Sequence, residues 1–327
     1  MDHHLVFHAL DGGDGTDGRW AGPVLASLPA QVERWLPEAG RTPEAERAAH
    51  ARFAAHMPEL LPVLDLFTAQ AGGAPGAVPL LAQVGLNNPF GACTQVGGVA
   101  GTLLRNYDWD LGQRERTVVR SRLLRPVLGM TEGFWGLLDG MNDAGLAVSL
   151  TYGGRTVHGD GFAMPIVLRY LLETCATVAQ AVAALGRLPV ATAQNVTLVD
   201  AEQAVTLYLG PDIAPVRAPD ACAANHQHLP VPQEQERETR THARLAGVRA
   251  AAAAAGKDPE AVVAALLRPP LHEAPREGGY GTAYTAAYRP ADGLVTYHWP
   301  GEEPWRQSFA DFRPGTREVT VRGPAAD

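Results

Sequence analysis

The 327-residue chain is 46% apolar and 19% charged, and its 27 basic and 35 acidic side chains give a formal net charge of 27 − 35 = −8. This composition is typical of a soluble, mildly acidic globular protein and excludes a coiled coil, a low-complexity chain and a basic nucleic-acid-binding surface. The single lysine, Lys257, lies in Gly-Lys-Asp rather than in the Gly-Lys-Ser/Thr of a phosphate-binding loop. None of the four serines occurs in Gly-x-Ser-x-Gly, so an α/β-hydrolase nucleophile elbow is excluded as well.

The three cysteines, Cys93, Cys175 and Cys222, are odd in number and far apart, and no Cys-x-x-Cys occurs. This spacing argues against a disulfide framework and against a zinc ribbon, and it favours a reducing cytoplasm. The chain starts with polar residues and contains no apolar run long enough for a membrane span. We therefore expect a cytoplasmic protein with no metal, no cofactor, no membrane and no nucleic acid as partners.

The first ninety residues are predicted to be mainly helical. One helix is expected at about residues 23–36, and a second opens at Thr42-Pro43-Glu44, which provides an N-cap, a first-turn proline and an acidic residue in order. This helical arm ends at Gly72-Gly73. From about residue 78 the sequence changes to short β-branched and apolar runs separated by Gly, Asn and Asp, which is typical of strands and turns.

The remaining pattern predicts hairpins with a few helices between them. Strands are expected near residues 92–96, 102–109, 117–124, 134–140, 145–152, 194–200, 204–209, 281–289 and 294–299. Helices are expected at 163–174 and 177–185, and two more within 237–267. Because hairpins outnumber β-α-β units, the sheets should be mostly antiparallel with helices packed outside them, an α+β class.

Cys93 begins a strand that turns through five residues, three of them glycine, and returns with Arg105 and Asp108. If Val96 pairs with Thr102, Cys93 lies opposite Arg105, and cross-strand neighbours are about 4.5–5.5 Å apart at Cβ. A guanidinium beside the thiol would lower its pKa, and the Asp108 carboxylate would orient the base. No histidine lies in this hairpin. The remaining candidate base is the α-amine that Cys93 would gain if the Ala92–Cys93 bond were cut.

At this point the sequence resembles the acyl-coenzyme A:isopenicillin N acyltransferase and carcinine hydrolase family and, more distantly, choloylglycine hydrolases and penicillin V acylases. The residues that carry the resemblance are Cys93-Thr94, the run 104–109, Gly140 to Ser149, Asn225-His226 and Gly281 to Tyr288. The resemblance implies a four-layer αββα sandwich of two mostly antiparallel sheets. It also implies a precursor that cleaves itself before the cysteine, with residues 1–92 as a mainly helical pro-segment and 93–327 as the catalytic core.

The resemblance also implies a role for each matching residue. Cys93 would be the nucleophile and new N-terminus, Asp108 would hold the new amine, and Arg105 would polarise the cysteine. Asn225 would donate its side-chain amide to the oxyanion, and Tyr152 lies near a second oxyanion position in the distant relatives. This sequence departs from those relatives in two places: residues 282–288 lack their arginine, and Ala92 replaces the more usual glycine.

The expected function is therefore that of a cysteine N-terminal-nucleophile amidohydrolase that cleaves a linear amide through an acyl-thioester on Cys93. The cleaved N-terminal segment would stay associated, the substrate would be a small-molecule amide, and a homo-oligomer is possible. Three alternatives stay open. They are an acyltransferase with an amine acceptor, an uncleaved ligand-binding protein on the same scaffold, and a papain-like enzyme that pairs Cys93 with His226 or His298.

Overall fold

The structure, a computed structural model, describes residues 2–18, 20, 27–86, 92–112, 116–228, 230–276 and 278–322. The α-helices are α1 Leu28–Trp35, α2 Pro43–His56, α3 Leu61–Gln70, α4 Ala77–Ala82, α5 Met164–Thr174, α6 Val178–Leu185, α7 Gln233–Thr239, α8 Thr241–Ala255 and α9 Pro259–Leu266, and short 3₁₀ turns occur at Glu38–Arg41, Pro58–Leu60 and Pro290–Asp292. None of the described helices is long and apolar enough to cross a membrane.

The strands run in chain order from β1 to β15. They are β1 His3–Gly13, β2 Cys93–Val99, β3 Thr102–Asp110, β4 Thr117–Arg122, β5 Pro126–Glu132, β6 Gly136–Asn142, β7 Ala147–Tyr152, β8 Gln194–Val199, β9 Ala204–Gly210, β10 Ile213–Arg217, β11 Cys222–Ala223, β12 Tyr280–Arg289, β13 Leu294–His298, β14 Trp305–Ser308 and β15 Gly315–Val321.

Within the described residues these strands form two sheets. The larger has nine strands in the order β10-β9-β8-β7-β6-β5-β4-β1-β15, and the smaller has six in the order β11-β2-β3-β12-β13-β14. Each adjacent pair is antiparallel except β1 with β4, which is parallel. The prediction of mostly antiparallel sheets is therefore confirmed.

The two sheets pack face to face, with β2 and β3 against β7 and β8. Helices α5 and α6 cover the outer face of the nine-stranded sheet, and α8 and α9 cover the outer face of the six-stranded sheet. Strands β6, β7 and β8 are therefore buried along almost their whole length, and the polar side chains that they carry, such as Asp139, Ser149 and Thr197, are buried as well. The predicted four-layer αββα sandwich is confirmed.

The N-terminal segment contributes more than the predicted helices. Its first strand, β1, lies between β4 and β15 inside the nine-stranded sheet, a strand that the sequence pattern did not predict. The predicted helix at 23–36 is described from residue 27 onward and spans Leu28–Trp35, while its first positions lie outside the described residues. Thr42 caps α2 as predicted, because its hydroxyl accepts a hydrogen bond from the Ala45 N–H at 3.2 Å.

Candidate active site

Cys93 is the first residue of β2, in the inner layer of the sandwich, and only 2% of its surface is exposed. Its Sγ accepts a hydrogen bond from Arg105 Nη2 at 3.2 Å, so the predicted cation is beside the thiol. Burial nevertheless raises the pKa of Cys93, and Arg105 offsets only part of that increase. The guanidinium thus acts on the thiol pKa in the predicted direction, but burial outweighs it in the uncut chain.

The predicted pairing of the β2–β3 hairpin is wrong, by two residues. Cys93 lies opposite Tyr107, because the turn consists of Ala100-Gly101 alone, with φ of 49° and 72°, and a β-bulge between Gly97 and Val99 adds one residue to β2. A shift of two residues preserves the faces of a strand, since side chains alternate with a period of two. Arg105 consequently remains on the same face as Cys93 and still reaches its sulfur diagonally.

The guanidinium of Arg105 is hydrogen-bonded to a buried carboxylate, Asp139, which the sequence analysis did not identify. Arg105 Nη1 donates to Asp139 Oδ2 and to the Leu138 carbonyl, each at 2.9 Å. Asp139 also accepts from the Tyr284 hydroxyl at 2.6 Å and from the Tyr288 hydroxyl, and all of these side chains are buried. The available signal was a lone carboxylate in the apolar run 137–141, on a strand that faces the hairpin.

Asp108 lies close to Cys93, but its carboxylate is not hydrogen-bonded to the sulfur. The carboxylate points to the helix side of the six-stranded sheet, where it accepts from Thr282 Oγ1 at 2.6 Å and pairs with Arg244 Nη2. Burial raises the pKa of Asp108, while Arg244 acts in the opposite direction. Asp108 is thus half of an almost fully buried ion pair with a residue of α8.

Asn225 contacts the main-chain nitrogen of the cysteine. Its Oδ1 accepts from the Cys93 N–H at 2.9 Å and from Arg244 Nη1 at 3.1 Å, and its Nδ2 donates to the Tyr152 carbonyl at 3.2 Å. The structure therefore brings Tyr152 next to Asn225 through its backbone. Arg244, which joins Asp108 to Asn225, was not predicted. Residues 282–288 carry no arginine, and this guanidinium reaches the site from α8 instead.

Both main-chain polar groups of Ala92, the residue before Cys93, are hydrogen-bonded. The Ala92 carbonyl accepts a hydrogen bond from the Asp108 N–H at 3.0 Å. The Ala92 N–H donates to the Tyr280 hydroxyl at 2.8 Å. These contacts fix the orientation of the carbonyl that precedes the cysteine.

Ala92 also lines a cavity of about 620 Å³ that is continuous with this peptide bond. Its described lining combines aromatic side chains with carboxylates and one arginine: Ala92, Trp109, Asp110, Tyr152, Thr156, Pro232, Glu234, Gln235, Glu238, Thr239, Arg276 and Tyr280. A pocket of this size accommodates a small organic substrate.

No histidine in the described part of the chain forms a hydrogen bond with Cys93 Sγ. His226 Nδ1 instead lies 2.8 Å from Thr241 Oγ1, and its ring contacts that of His242 at 4.8 Å between centroids. Among the described residues, the buried Nε2 of His298 in β13 has no hydrogen-bond partner. The geometry thus gives no support to a Cys-His pair. The described residues also contain no group of three His, Cys, Asp or Glu side chains arranged to hold a metal ion.

Two mostly antiparallel sheets between helical layers, with a cysteine at the start of an inner strand, define an α+β protein of the four-layer αββα class. The match of the sequence to a family model is more specific. The family model described as acyl-coenzyme A:6-aminopenicillanic acid acyl-transferase matches residues 95–303, and the chain belongs to this family. No curated protein matches the sequence.

Three solved structures match the chain with low sequence identity. A mutant conjugated bile acid hydrolase from Clostridium perfringens is 11% identical with a TM-score of 0.48, and the match covers 72% of this chain and 99% of the other. Penicillin V acylase from Agrobacterium tumefaciens is 13% identical with a TM-score of 0.48, covering 70% and 90%. The Caenorhabditis elegans N-acylethanolamine-hydrolyzing acid amidase ortholog is 15% identical with a TM-score of 0.42, covering 61% and 93%.

Proposed function

We propose that the chain is an autoprocessing cysteine amidohydrolase that cuts its own Ala92–Cys93 bond and then cleaves a linear amide through a thioester on Cys93. The observation that carries this proposal is the set of hydrogen bonds around one peptide bond. The Ala92 carbonyl is held by the Asp108 N–H, the Cys93 nitrogen by Asn225, and the Cys93 sulfur by Arg105.

In the processing step, Cys93 Sγ attacks the Ala92 carbonyl carbon. The thiol proton passes to the departing nitrogen, the S–C bond forms and the C–N bond breaks. The Asp108 N–H already donates to the carbonyl oxygen, so it is placed to stabilise the negative charge that develops there. Water then hydrolyses the thioester, which leaves a carboxylate on Ala92 and a free α-amine on Cys93.

In the turnover step, that amine replaces the missing histidine as the base for the thiol. Asn225 Oδ1 accepts a hydrogen bond from this nitrogen before cleavage and orients it afterwards. The thiolate attacks the substrate carbonyl, and we assign stabilisation of the resulting oxyanion to Asn225 Nδ2, which lies beside the Tyr152 carbonyl. The ammonium returns its proton to the leaving amine, and water releases the acid.

An acyltransferase is the second candidate, because the description of the matching family names that activity. It would use the same thioester and the same residues. The two reactions differ in the acceptor that reaches the thioester, which is water for the hydrolase and an amine for the acyltransferase. Product analysis with and without added amine distinguishes them.

The proposal is tested by intact mass spectrometry of the purified chain. We expect two fragments, of 92 and 327 − 92 = 235 residues, the larger beginning at Cys93. The variant Cys93→Ala should stay whole and inactive because the nucleophile is gone. Cys175→Ala is the matched control, since Cys175 is also buried but lies at the end of α5, and it should be cut like the wild type.

A wild-type chain that stays whole on incubation would support the uncleaved binding protein instead. Normal cutting of Cys93→Ala would remove Cys93 from the reaction. Asp108→Asn should slow both cleavage and turnover by about 100-fold, because it keeps the shape of the side chain but loses the charge that holds Arg244. Wild-type rates in that variant would show that Asp108 has no part in the chemistry.

A further inference from the structure

The contacts of Ala92 describe the acyl side of the proposed active site. This inference rests on the proposed function: if Cys93 attacks the Ala92 carbonyl, Ala92 is the acyl group of the first thioester. A substrate thioester forms on the same sulfur in the same cleft. Groups that contact Ala92 before cleavage are therefore the groups that meet the acyl part of a substrate afterwards.

The nitrogen on the α-carbon of Ala92 forms a hydrogen bond with a side chain that lines the cavity. Its N–H donates to the Tyr280 hydroxyl at 2.8 Å, and Tyr280 also lines the 620 Å³ cavity. Burial, with the nearby Asp108 carboxylate, raises the pKa of Tyr280, so the hydroxyl stays neutral. The inference includes that the new carboxyl end at Ala92 moves out of the cleft after cleavage, which opens the Tyr280 hydroxyl to the α-nitrogen of a substrate.

The charges around the cavity favour the same group. Three of its described lining residues, Asp110, Glu234 and Glu238, are acidic. The arginine among the described lining residues, Arg276, is paired with Glu273 and lies over the ring of Tyr280. An amine that enters this cavity thus meets three carboxylates, which attract a cation.

We propose that the substrates are α-aminoacyl amides, in which a nitrogen bearing hydrogen on the α-carbon of the acyl group donates to the Tyr280 hydroxyl. In the first step the Sγ–C bond forms and the amide C–N bond breaks, and the leaving amine takes the proton from the Cys93 ammonium. Water then breaks the S–C bond and gives the free amino acid, so no further reactant is needed.

The test compares two substrates of nearly equal shape, L-alanyl 4-nitroanilide and isobutyryl 4-nitroanilide, in which a methyl group replaces the amine. Rates are normalised to the amount of cleaved chain measured by intact mass. We expect kcat/KM to be about tenfold higher for the alanyl compound, the effect of one hydrogen bond to a charged group. Equal rates for the two compounds, or turnover of neither by cleaved enzyme, would overturn the inference.

The variant Tyr280→Phe tests the residue itself. It should bring the ratio of the two kcat/KM values close to one, because the phenyl ring keeps the shape but cannot accept the N–H. Tyr208→Phe is the matched control, since Tyr208 is a buried tyrosine of β9 outside the cavity lining, and it should keep the wild-type ratio. If the ratio of the two kcat/KM values is unchanged in Tyr280→Phe, other groups cause the preference for the alanyl compound, and the inference is overturned.

Failure of this inference is distinguishable from failure of the proposed function. If the fragment beginning at Cys93 forms and isobutyryl 4-nitroanilide is hydrolysed as fast as the alanyl compound, the amidohydrolase stands and only the substrate class is wrong. If the chain never cuts itself and Cys93 forms no thioester, the proposed function fails and the inference fails with it.

Discussion

Arg244 connects the two groups that surround the nitrogen of Cys93. One of its nitrogens pairs with the Asp108 carboxylate and the other donates to Asn225 Oδ1, which in turn accepts from the Cys93 N–H. After cleavage that nitrogen would be an amine with a positive guanidinium and a negative carboxylate nearby. A neighbouring cation lowers the pKa of an amine, and a neighbouring anion raises it. We therefore expect Arg244 to position Asn225 and Asp108 and, as the cation, to lower the pKa of the amine that cleavage would create.

The pH dependence of turnover tests this role. Arg244→Gln removes the cation and leaves Asp108 uncompensated, so the pKa of the Cys93 amine rises and the amine stays protonated up to a higher pH. We expect the acid limb of the kcat/KM profile to move upward by about one pH unit. Among the described residues, the other charged and polar groups near the Cys93 nitrogen and Asp108 include Arg105, Asn225, His272, Glu273, Tyr280 and Thr282, and the variant does not replace any of them.

Arg244→Lys is the control for this experiment. It keeps the charge but loses the second hydrogen bond, so its kcat/KM should fall roughly tenfold with the acid limb unmoved. If the acid limbs of wild type and Arg244→Gln coincide, Arg244 has a structural role alone and does not tune the base.

Some of these residues could be predicted from the sequence and others could not, for a physical reason. Cys93 and Arg105 lie on one hairpin with an even spacing, so strand alternation alone places them on one face, and it places Asp108 nearby on the opposite face. Asp139 and Arg244 reach the same cluster from another sheet and from a helix, 34 and 136 residues from their respective partners Arg105 and Asp108. Contacts of that kind depend on how the layers stack, which local patterns do not encode.

At the scale of elements, the position of Cys93 depends on how closely β2 packs against the larger sheet. Gly97 faces β8, and a Cβ at this residue would lie 2.6 Å from Val199 Cγ2 and 3.1 Å from Thr197 Cγ2. Such distances force the neighbours to move. The absence of a side chain at Gly97 is therefore what allows the two sheets to approach each other beside the cysteine.

The variant Gly97→Ala should lower the free energy of unfolding by about 1–3 kcal/mol, the usual cost of overpacking a core. Urea unfolding in a Cys93→Ala background measures this without interference from cleavage. Gly40→Ala is the control, because a Cβ there meets its nearest neighbour at an ordinary 3.6 Å, and the stability should stay within about 0.5 kcal/mol. Equal stability of the two variants would show that the sheets can separate locally at little cost.

The sequence pattern predicted most of the helices and the strands around Cys93, but it missed β1 and β5 inside the larger sheet and several edge strands, and helix α4 begins where it predicted a change to strands. Strands β5, β10, β14 and β15 were not predicted, and neither was the two-residue β11. Strand β10 is largely exposed, and most of β15 is at least partly exposed, so their sequences lack the alternation of a half-buried strand. These segments become strands because they pair with a partner distant in sequence. For example, β15 pairs with β1.

At the scale of the whole molecule, residues 1–92 are part of the sandwich rather than an appended arm. Strand β1 is hydrogen-bonded on both edges, to β4 and β15, which both lie after the proposed cleavage site. Phe53 and Phe67 of the N-terminal helices contact Trp135, whose indole N–H donates to the Leu81 carbonyl at 2.7 Å. The two sides of the Ala92–Cys93 bond thus share one hydrophobic core.

Because of this shared core, we expect the two fragments to remain together after cleavage. Size-exclusion chromatography in native buffer should give one species that contains both, and the fragments should separate only at denaturant concentrations that unfold the protein. Phe7 is the critical contact of β1, because its fully buried ring packs on Trp299 at 5.0 Å and on Tyr284 at 6.2 Å between ring centroids.

Phe7→Ala should lower the free energy of unfolding by about 3–5 kcal/mol and shift fragment separation to a lower denaturant concentration. The adjacent Val6, 36% exposed on the other face of the strand, provides the control, and Val6→Ala should change stability by less than about 0.5 kcal/mol. Fragments that separate in native buffer would mean that β1 leaves the sheet once its chain connection to β2 is broken. The enzyme would then have to stay active with an open edge at β4 where β1 had been.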